Sequence, residues 1–316
     1  MNLTDRQQYE LLAAISARGE IPVKFVYLGE GAQLWDAIYN DTDHGGGITN
    51  SEAELMKSHL GSFRQVFQDA GGLNLIDLGC GNGLPAIEII KSLQEANLQV
   101  NYVAVDLSQE MLNLATTNIK NALPELNIIQ LQMDFESESL ASKLLEIKQR
   151  TKLPSLLINL GNTLGNYVNV NSVLTNFLQS MTTDDYLIIG NGLVNDQNPQ
   201  KILSSYTDIV KQAVLTLPKQ LGIFTDEDDY LVLWNVSNHR VEGRIKLNSE
   251  KEVTIAEQNI KLEVGDEILV MQSRKYTEST LTKLLSGVGF RTELLTTNHN
   301  RSYVLAMIQP TRYSAS

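Results

Sequence analysis

The chain has 316 residues, which suits one large domain with a smaller companion rather than three domains. It carries 25 Lys and Arg against 37 Asp and Glu, and the resulting net charge of −12 argues against nucleic acid as a partner. A single cysteine, Cys80, excludes an internal disulfide and a cysteine-cluster metal site. No apolar run has the length of a signal peptide core or a membrane span, so we expect a cytoplasmic protein that does not bind membranes.

The first predicted elements are two amphipathic helices separated by an aromatic segment. Thr4 opens the first helix in a capping-box pattern, and Gly19 is placed to end it. Residues 21–39 form a mixed segment rich in aromatic side chains. A second helix is predicted over about 51–67, where apolar residues recur at helical spacing.

From Leu73 the pattern changes to short apolar runs separated by helical stretches. The five runs cover residues 73–78, 100–105, 127–133, 156–160 and 186–189. Strands that alternate with helices form βαβ units, and the parallel sheet built from them is covered by helices on both faces. We therefore predict a doubly wound, Rossmann-like α/β sheet.

The alternation stops near Asn195. The later elements are predicted as a helix over 202–217, antiparallel strands over 230–234, 241–247 and 253–262, a helix over 280–285, and strands over 291–296 and 303–308. Clustered strands bounded by turns differ from a βαβ pattern. We therefore expect a sheet domain made of residues 1–195 and 271–316, with a smaller α+β domain inserted over 196–270.

The strongest local motif is the turn after the first predicted strand, Asp77-Leu78-Gly79-Cys80-Gly81-Asn82-Gly83. Glycines let a backbone turn sharply and approach a ligand, and the helix that follows presents unpaired N–H groups. A dinucleotide-binding turn places its third glycine farther along. The spacing here resembles the first motif of class I S-adenosylmethionine-dependent methyltransferases. A tight turn without a ligand is the alternative.

Acidic residues follow the next two predicted strands. Asp106, with Leu107 beside it, stands where a ribose diol is held by charge-assisted O–H···O⁻ bonds. Asp106 could instead cap a helix, but Ser108 can fill that role. Asp134 can accept the adenine exocyclic N–H while Phe135 covers the ring, although an ordinary strand-end turn is the alternative. Three such elements on successive strands predict S-adenosylmethionine as the cofactor.

The segment Gly161-Asn162-Thr163-Leu164-Gly165-Asn166 follows the fourth predicted strand. It resembles the Gly-Ser-Thr-Ile-Gly-Asn segment of the histidine Nα-methyltransferases of ergothioneine biosynthesis, a group that includes fungal dimethylallyltryptophan N-methyltransferases. The likeness covers nearly the whole chain. The chain lacks the Asn/Asp-Pro-Pro-aromatic motif of enzymes that methylate nucleobase or glutamine amides, and this absence disfavours those substrates.

The resemblance implies roles for further residues. Gly161 would line the cofactor site, and Asn166 and Tyr206 would hold the amino and carboxylate end of the substrate as the candidate catalytic residues. His44, before three glycines, lies where a loop over the cofactor is expected. The remaining substrate-facing candidates are Tyr27, Trp35 and Ser273. The inserted domain is expected to cover the methyl-donor end of the cofactor. Ordinary packing is the alternative for the aromatic residues.

Two departures from the family pattern concern substrate recognition. Met271 stands where the histidine-specific members place a glutamate, and a thioether cannot accept an imidazole N–H as a carboxylate does. Gly243 aligns with a methionine side chain of those enzymes, so we expect it to open space. A bulkier, more apolar amine, such as an indole or another aromatic amino acid derivative, is therefore expected instead of histidine.

The predicted function is S-adenosylmethionine-dependent N-methylation of a small-molecule amine in natural product biosynthesis. We expect a monomer or weak dimer. We also expect no metal site, since the four histidines do not have the spacing of metal ligands. Two other hypotheses stay open: O- or C-methylation of a secondary metabolite, and a non-catalytic protein that binds the cofactor and regulates a partner. Substrate turnover distinguishes them.

Overall fold

The computed structural model describes residues 3–40, 46–194, 199–206 and 208–311. The chain divides into two compact units. The sheet unit comprises Gly47–Asn195 and Tyr276–Ser316, and the smaller unit comprises Met1–Gly46 and Asp196–Lys275. Among the described residues, no helix combines the length and the apolar character needed to cross a membrane.

In chain order, the helices of the described residues are α1 (Asp5–Arg18), α2 (Glu30–Asn40), α3 (Gly46–Gln65), α4 (Leu84–Glu95), α5 (Gln109–Ala122), α6 (Ala141–Thr151), α7 (Val170–Gln179), α8 (Pro199–Leu203), α9 (Asp208–Gln220) and α10 (Glu278–Val288), with 3₁₀ turns over Val23–Tyr27 and Thr163–Asn166. The strands are β1 (Gly72–Leu78), β2 (Gln99–Asp106), β3 (Ile128–Gln132), β4 (Ser155–Asn159), β5 (Tyr186–Gly192), β6 (Asp229–Asn235), β7 (Arg240–Lys246), β8 (Lys251–Ile255), β9 (Gln258–Leu262), β10 (Glu267–Arg274), β11 (Phe290–Thr297) and β12 (Tyr303–Pro310).

The sheet unit is built on one sheet whose described strands follow the order β11-β12-β5-β4-β1-β2-β3. Strands β1 to β5 are parallel, and β12 runs antiparallel to both β5 and β11. Every residue of β1 and β4 is buried, because helices cover both faces of a doubly wound sheet. Leu73 and Leu75 join one apolar cluster while Ile76 and Leu78 join the other, as alternation along a strand requires. The predicted Rossmann-like α/β fold is confirmed.

The smaller unit combines helices with two antiparallel sheets. Strands β6, β7 and β10 pair in the order β10-β7-β6, and β8 and β9 form a hairpin. Helix α2 packs on α9, and the Ile21 N–H donates to the Leu269 carbonyl at 2.8 Å. Residues 3–40, which we expected to belong to the sheet domain, therefore pack with the inserted segment. That this unit binds the substrate stays a prediction.

Most predicted elements are present, with ends that differ by a few residues. The capping box at Thr4 forms as predicted, and Gly19 ends α1 with a φ of +59°. The second helix begins at Gly46, earlier than predicted. The helix predicted over 202–217 is interrupted, because α8 ends at Leu203 and Tyr206 lies in a turn before α9. The prediction is therefore right over α9 and wrong before it.

Two further predictions failed in the inserted segment. The single strand predicted over 253–262 is the β8–β9 hairpin, which turns at Ala256 and Glu257 with φ values of +50° and +60°. Neither residue is a typical turn former, so composition gave no indication of the break. Strand β10 was not predicted, because it is almost continuously buried and lacks polar alternation.

Candidate active site

The carboxyl ends of β1 to β4 lie at one edge of the sheet, where the strand order reverses between β1 and β4. Ligands of doubly wound sheets bind outside this edge. The residues expected there are Asp77, Gly79, Gly81 and Gly83 at the end of β1, Asp106 and Leu107 at β2, Asp134 and Phe135 at β3, and Gly161 and Asn166 at β4. The structure brings these strand ends together.

The glycine-rich turn connects β1 to α4. Gly79, Gly81 and Gly83 have φ values of +74°, +52° and +73°, a conformation that side chains with a Cβ disfavour. A Cβ at Gly83 would also lie 3.0 Å from both Cα and Cβ of Ala115 on α5. Gly83 therefore serves both the turn and the close packing of α4 on α5.

We expect Gly83→Ala to lower the free energy of unfolding by about 1–3 kcal/mol more than Gly81→Ala does. Both variants place alanine at a positive φ, but a Cβ at Gly81 has no atom within 4 Å whereas one at Gly83 meets the α5 backbone. Urea unfolding of both variants measures the difference. Equal losses would mean that backbone conformation, and not helix packing, requires glycine at position 83.

The Asp106 carboxylate is fixed at the edge of the sheet by backbone donors. Its Oδ2 accepts the Gly81 N–H at 3.1 Å, and its Oδ1 accepts the Ser108 N–H at 2.9 Å. Ser108 caps α5, accepting the Met111 N–H at 3.3 Å, so Asp106 is not needed as the cap. Each carboxylate oxygen can accept a further donor, which fits the two hydroxyls of a ribose.

Asp77 and Asp106 are both buried carboxyl groups beside the glycine-rich turn. The Tyr102 hydroxyl donates to Asp77 at 2.7 Å. Burial raises the pKa of Asp77 to about 7, although the bond from Tyr102 opposes the shift. Burial also raises the pKa of Asp106 to about 6, against the backbone N–H groups that favour its charged form. Both groups therefore titrate near neutral pH.

These shifts predict two opposite pH effects. A carboxyl group with a raised pKa holds a proton that the unfolded chain releases, so the stability of the ligand-free protein falls as pH rises through about 6 and about 7. The predicted ribose site requires ionised Asp106, so affinity for S-adenosylhomocysteine should rise about fourfold from about pH 5.5 to 7.5. Melting curves and calorimetry measure the two. An affinity that stays constant in this range would contradict the role of Asp106.

The residues of the turn after β3 make contacts within the protein itself. The Asp134 carboxylate accepts the Glu136 N–H at 3.0 Å, as in an ordinary strand-end turn. The Phe135 ring packs edge-on against Tyr167 and Phe177, at centroid distances of 5.8 and 5.6 Å. Phe135 therefore lies in the apolar core, and contact of Asp134 and Phe135 with adenine stays a prediction.

The turn after β4 is held by amide side chains. Asn162 accepts the Gly192 N–H at 2.5 Å, and the Gly165 N–H donates to Asn191 at 3.1 Å. Asn166 ends the short 3₁₀ helix of this turn. The end of β5 thus fixes the segment that carries the candidate catalytic residue.

Glu52 of α3 was not predicted as a site residue. Its carboxylate accepts the Gly161 N–H at 2.8 Å and the Tyr303 hydroxyl. Burial raises its pKa above the ordinary value. The sequence held one indication: Glu52 lies three and four residues before Leu55 and Met56, so a carboxylate occupies the apolar face of a helix.

In the smaller unit, Met271 of β10 and Gly243 of β7 are direct cross-strand partners. A Cβ at Gly243 would lie 2.5 Å from the Tyr230 hydroxyl oxygen and 3.0 Å from the Met271 Cβ. The space that we expected Gly243 to open is therefore filled, because the Tyr230 ring leans across from β6. Burial and the nearby Tyr206 raise the pKa of Tyr230, which keeps the phenol neutral.

The other candidates of this unit have ordinary packing partners. The rings of Tyr27 and Trp35 lie 5.2 Å apart, centroid to centroid. Ser273 is buried and accepts a hydrogen bond from the side-chain nitrogen of Lys275 at 3.1 Å. Lys275 is also buried and belongs to the same sequence motif, but we did not predict it as a functional residue. His44, expected over the cofactor, lies outside the described residues.

Comparison with known proteins agrees with this geometry. The family of histidine-specific, S-adenosylmethionine-dependent methyltransferases matches residues 7–310. The chain is 21% identical over 312 residues to the N-methyltransferase imqF of Aspergillus flavus, covering 93% of this chain and 82% of that protein. It is 22% identical over 193 residues to ergothioneine biosynthesis protein 1 of Neurospora crassa, covering 60% of this chain and 21% of that protein. Magnesium protoporphyrin IX methyltransferase from Synechocystis PCC 6803 covers 96% of this chain, with 12% identity and a TM-score of 0.47.

The family match spans the sheet unit and the smaller unit alike. The strand-end edge also suits the cofactor, because a Cβ at Gly81 would have no atom within 4 Å and the Asp106 carboxylate retains capacity for ribose hydroxyls. The family match and the geometry of the strand-end edge both indicate S-adenosylmethionine as the cofactor. The chain belongs to the family of S-adenosylmethionine-dependent, histidine-specific methyltransferases, and its cofactor is S-adenosylmethionine.

Proposed function

We propose that the protein methylates an amine nitrogen of a small molecule. The geometric observation that carries the proposal is the β4 turn, which the end of β5 fixes beside the cofactor edge and which ends at Asn166. Similarity to the N-methyltransferase imqF over 93% of the chain supports a nitrogen acceptor. The net charge of −12 favours a small substrate over nucleic acid.

Bound S-adenosylmethionine supplies an electrophilic methyl group on a sulfonium. The residues of the chain must then hold a neutral amine in line with that methyl group and exclude water. Asn166 and Tyr206 are proposed to bind the amino and carboxylate end of the substrate. An amide and a phenol bind without adding a charge, and the proton of the product can leave to water or through a hydrogen bond to either residue.

We further propose that the substrate is an indole or another aromatic amino acid derivative and not histidine. Met271 is buried and offers a thioether where an imidazole would need a carboxylate. Tyr230 fills the space next to it, so the ring of the substrate would meet a wall with one neutral phenol. A cytoplasmic location and a monomeric or weakly dimeric state stay predictions from composition.

A mass-shift screen tests the proposed function. The purified protein is incubated with S-adenosylmethionine and a panel of histidine, tryptophan, tyrosine and prenylated indoles, with a reaction that lacks S-adenosylmethionine as the negative control. We expect methylation of an aromatic amine, with the methyl located on nitrogen by NMR. Methylation only on oxygen or carbon would favour the alternative enzyme class. Cofactor binding without turnover of any panel member would favour the non-catalytic regulator.

A further inference from the structure

A buried carboxylate lies beside the turn that follows β4. Glu52 is 4% exposed, and its Oε2 accepts both the Gly161 N–H, at 2.8 Å, and the Tyr303 hydroxyl. Burying a carboxylate is costly unless donors satisfy it. Here the two donors come from segments far apart in the sequence, the β4 turn and β12, so Glu52 joins α3 to both at one point.

The sheet leaves room for this carboxylate and phenol at Gly190 of β5. A Cβ there would lie 2.6 Å from Glu52 Oε2 and 2.6 Å from the Tyr303 hydroxyl oxygen. The φ of Gly190 is not positive, so its backbone conformation does not require glycine. The close approach of Glu52 and Tyr303 does require it, because any side chain would displace one of them.

The turn that Glu52 holds combines an unfavourable backbone conformation with hydrogen bonds of its own. The N–H and the hydroxyl of Thr163 donate to the Leu160 carbonyl, and the Gly165 N–H donates to the Asn162 carbonyl at 3.0 Å. Gly161 and Asn162 take successive left-handed φ values of +72° and +65°, and a left-handed conformation disfavours a residue with a Cβ such as asparagine. Amide side chains tether the turn at Asn162, which accepts the Gly192 N–H, and at Gly165, whose N–H donates to Asn191. The Gly161 N–H is a further tether at the start of the turn, and its acceptor is Glu52.

We propose that Glu52 is a positioning residue of the S-adenosylmethionine site. With Tyr303 it fixes the start of the β4 turn, so that Gly161 faces the cofactor in one arrangement. The same tether orients Asn166 for the amine, and this second part rests on the proposed function. In this arrangement Glu52 acts through the backbone of Gly161, whose N–H it accepts.

The experiment compares Glu52→Gln with Asp185→Asn, the same carboxylate-to-amide change at a residue that precedes β5 and contacts the first residue of β4. Asp185 is fully buried and accepts the Ser155 N–H at 2.7 Å and the Thr182 N–H at 2.5 Å. Calorimetry with S-adenosylhomocysteine should give a Kd that is about tenfold higher for Glu52→Gln. Asp185→Asn should lower the melting temperature but leave the Kd within about twofold of wild type.

Two further measurements separate positioning from stability. Tyr303→Phe keeps the ring and removes only the hydroxyl, so it should also raise the Kd, and it serves if Glu52→Gln does not fold. In glycine-¹⁵N spectra, the Gly161 amide proton, assigned by its loss in Gly161→Ala, should move upfield in Glu52→Gln and stay in place in Asp185→Asn. An unchanged Kd in both Glu52→Gln and Tyr303→Phe, or a Kd that rises equally in Asp185→Asn, would overturn the proposal.

The outcomes also separate this proposal from the proposed function. If Glu52→Gln weakens cofactor binding while no amine of the panel is methylated, the proposed function fails and the positioning role of Glu52 stands. If an amine is methylated and Glu52→Gln binds the cofactor as wild type does, the positioning role fails and the proposed function stands.

Discussion

Replacing Asp106 with alanine is expected to weaken S-adenosylhomocysteine binding by roughly 1.5–3 kcal/mol, a rise in Kd of about 13-fold to 160-fold. The carboxylate is already oriented by the Gly81 and Ser108 N–H groups, so the ribose hydroxyls of the predicted site would meet an acceptor that needs no rearrangement. Hydrogen bonds to an ionised acceptor are stronger than neutral ones. Calorimetry at about pH 7.5, where Asp106 is ionised, measures the loss.

Ser108→Ala is the matched control for this experiment. It removes the side chain that caps α5 but leaves the backbone N–H that orients Asp106. We expect a stability loss of about 1 kcal/mol with the Kd unchanged. If Asp106→Ala binds the ligand as tightly as Ser108→Ala, the ribose site has been placed on the wrong residue.

The sheet could be predicted because its information is local. The central strands are short buried runs, and the glycine-rich turn follows the first of them directly, so periodicity and turn residues sufficed. The pairing of Glu52 with Tyr303 could not be predicted, because those residues are 251 positions apart and no local pattern relates them. The one indication of Glu52 in the sequence was that its charged side chain lies on an apolar helix face.

The residues predicted to face the substrate also depend on contacts that local sequence patterns do not show. Met271 and Gly243 entered the prediction as separate departures from a family pattern, while the register of β10 and β7 makes them one cross-strand pair. Because β10 was not predicted, that register was not accessible. Tyr230 lies opposite Ile245 and reaches Gly243 diagonally, a contact that depends on how the ring leans and not on sequence spacing.

Substrate selection by Met271 is the other prediction with a large expected effect. Histidine would bury a ring N–H against a thioether, at a cost of about 1–3 kcal/mol, so its kcat/KM should fall about 5-fold to 160-fold below that of a preferred indole amine. An indole instead gains about 25 cal/mol for each Å² of apolar surface that it buries. A competition assay with histidine, tryptophan and prenylated indoles measures the ratio directly.

The reverse substitution tests the cause. Met271→Glu places a carboxylate opposite Gly243, where the neutral Tyr230 phenol can donate to it and orient it for an imidazole N–H. This variant should gain histidine binding, whereas Met271→Gln, of the same shape without the charge, should gain much less. Efficient methylation of histidine by the wild type, with no methylation of indoles, would contradict the predicted substrate selection by Met271. Because Tyr230 and not Gly243 bounds the space here, a gain by Met271→Glu would also show that the ring of the substrate lies against this strand pair.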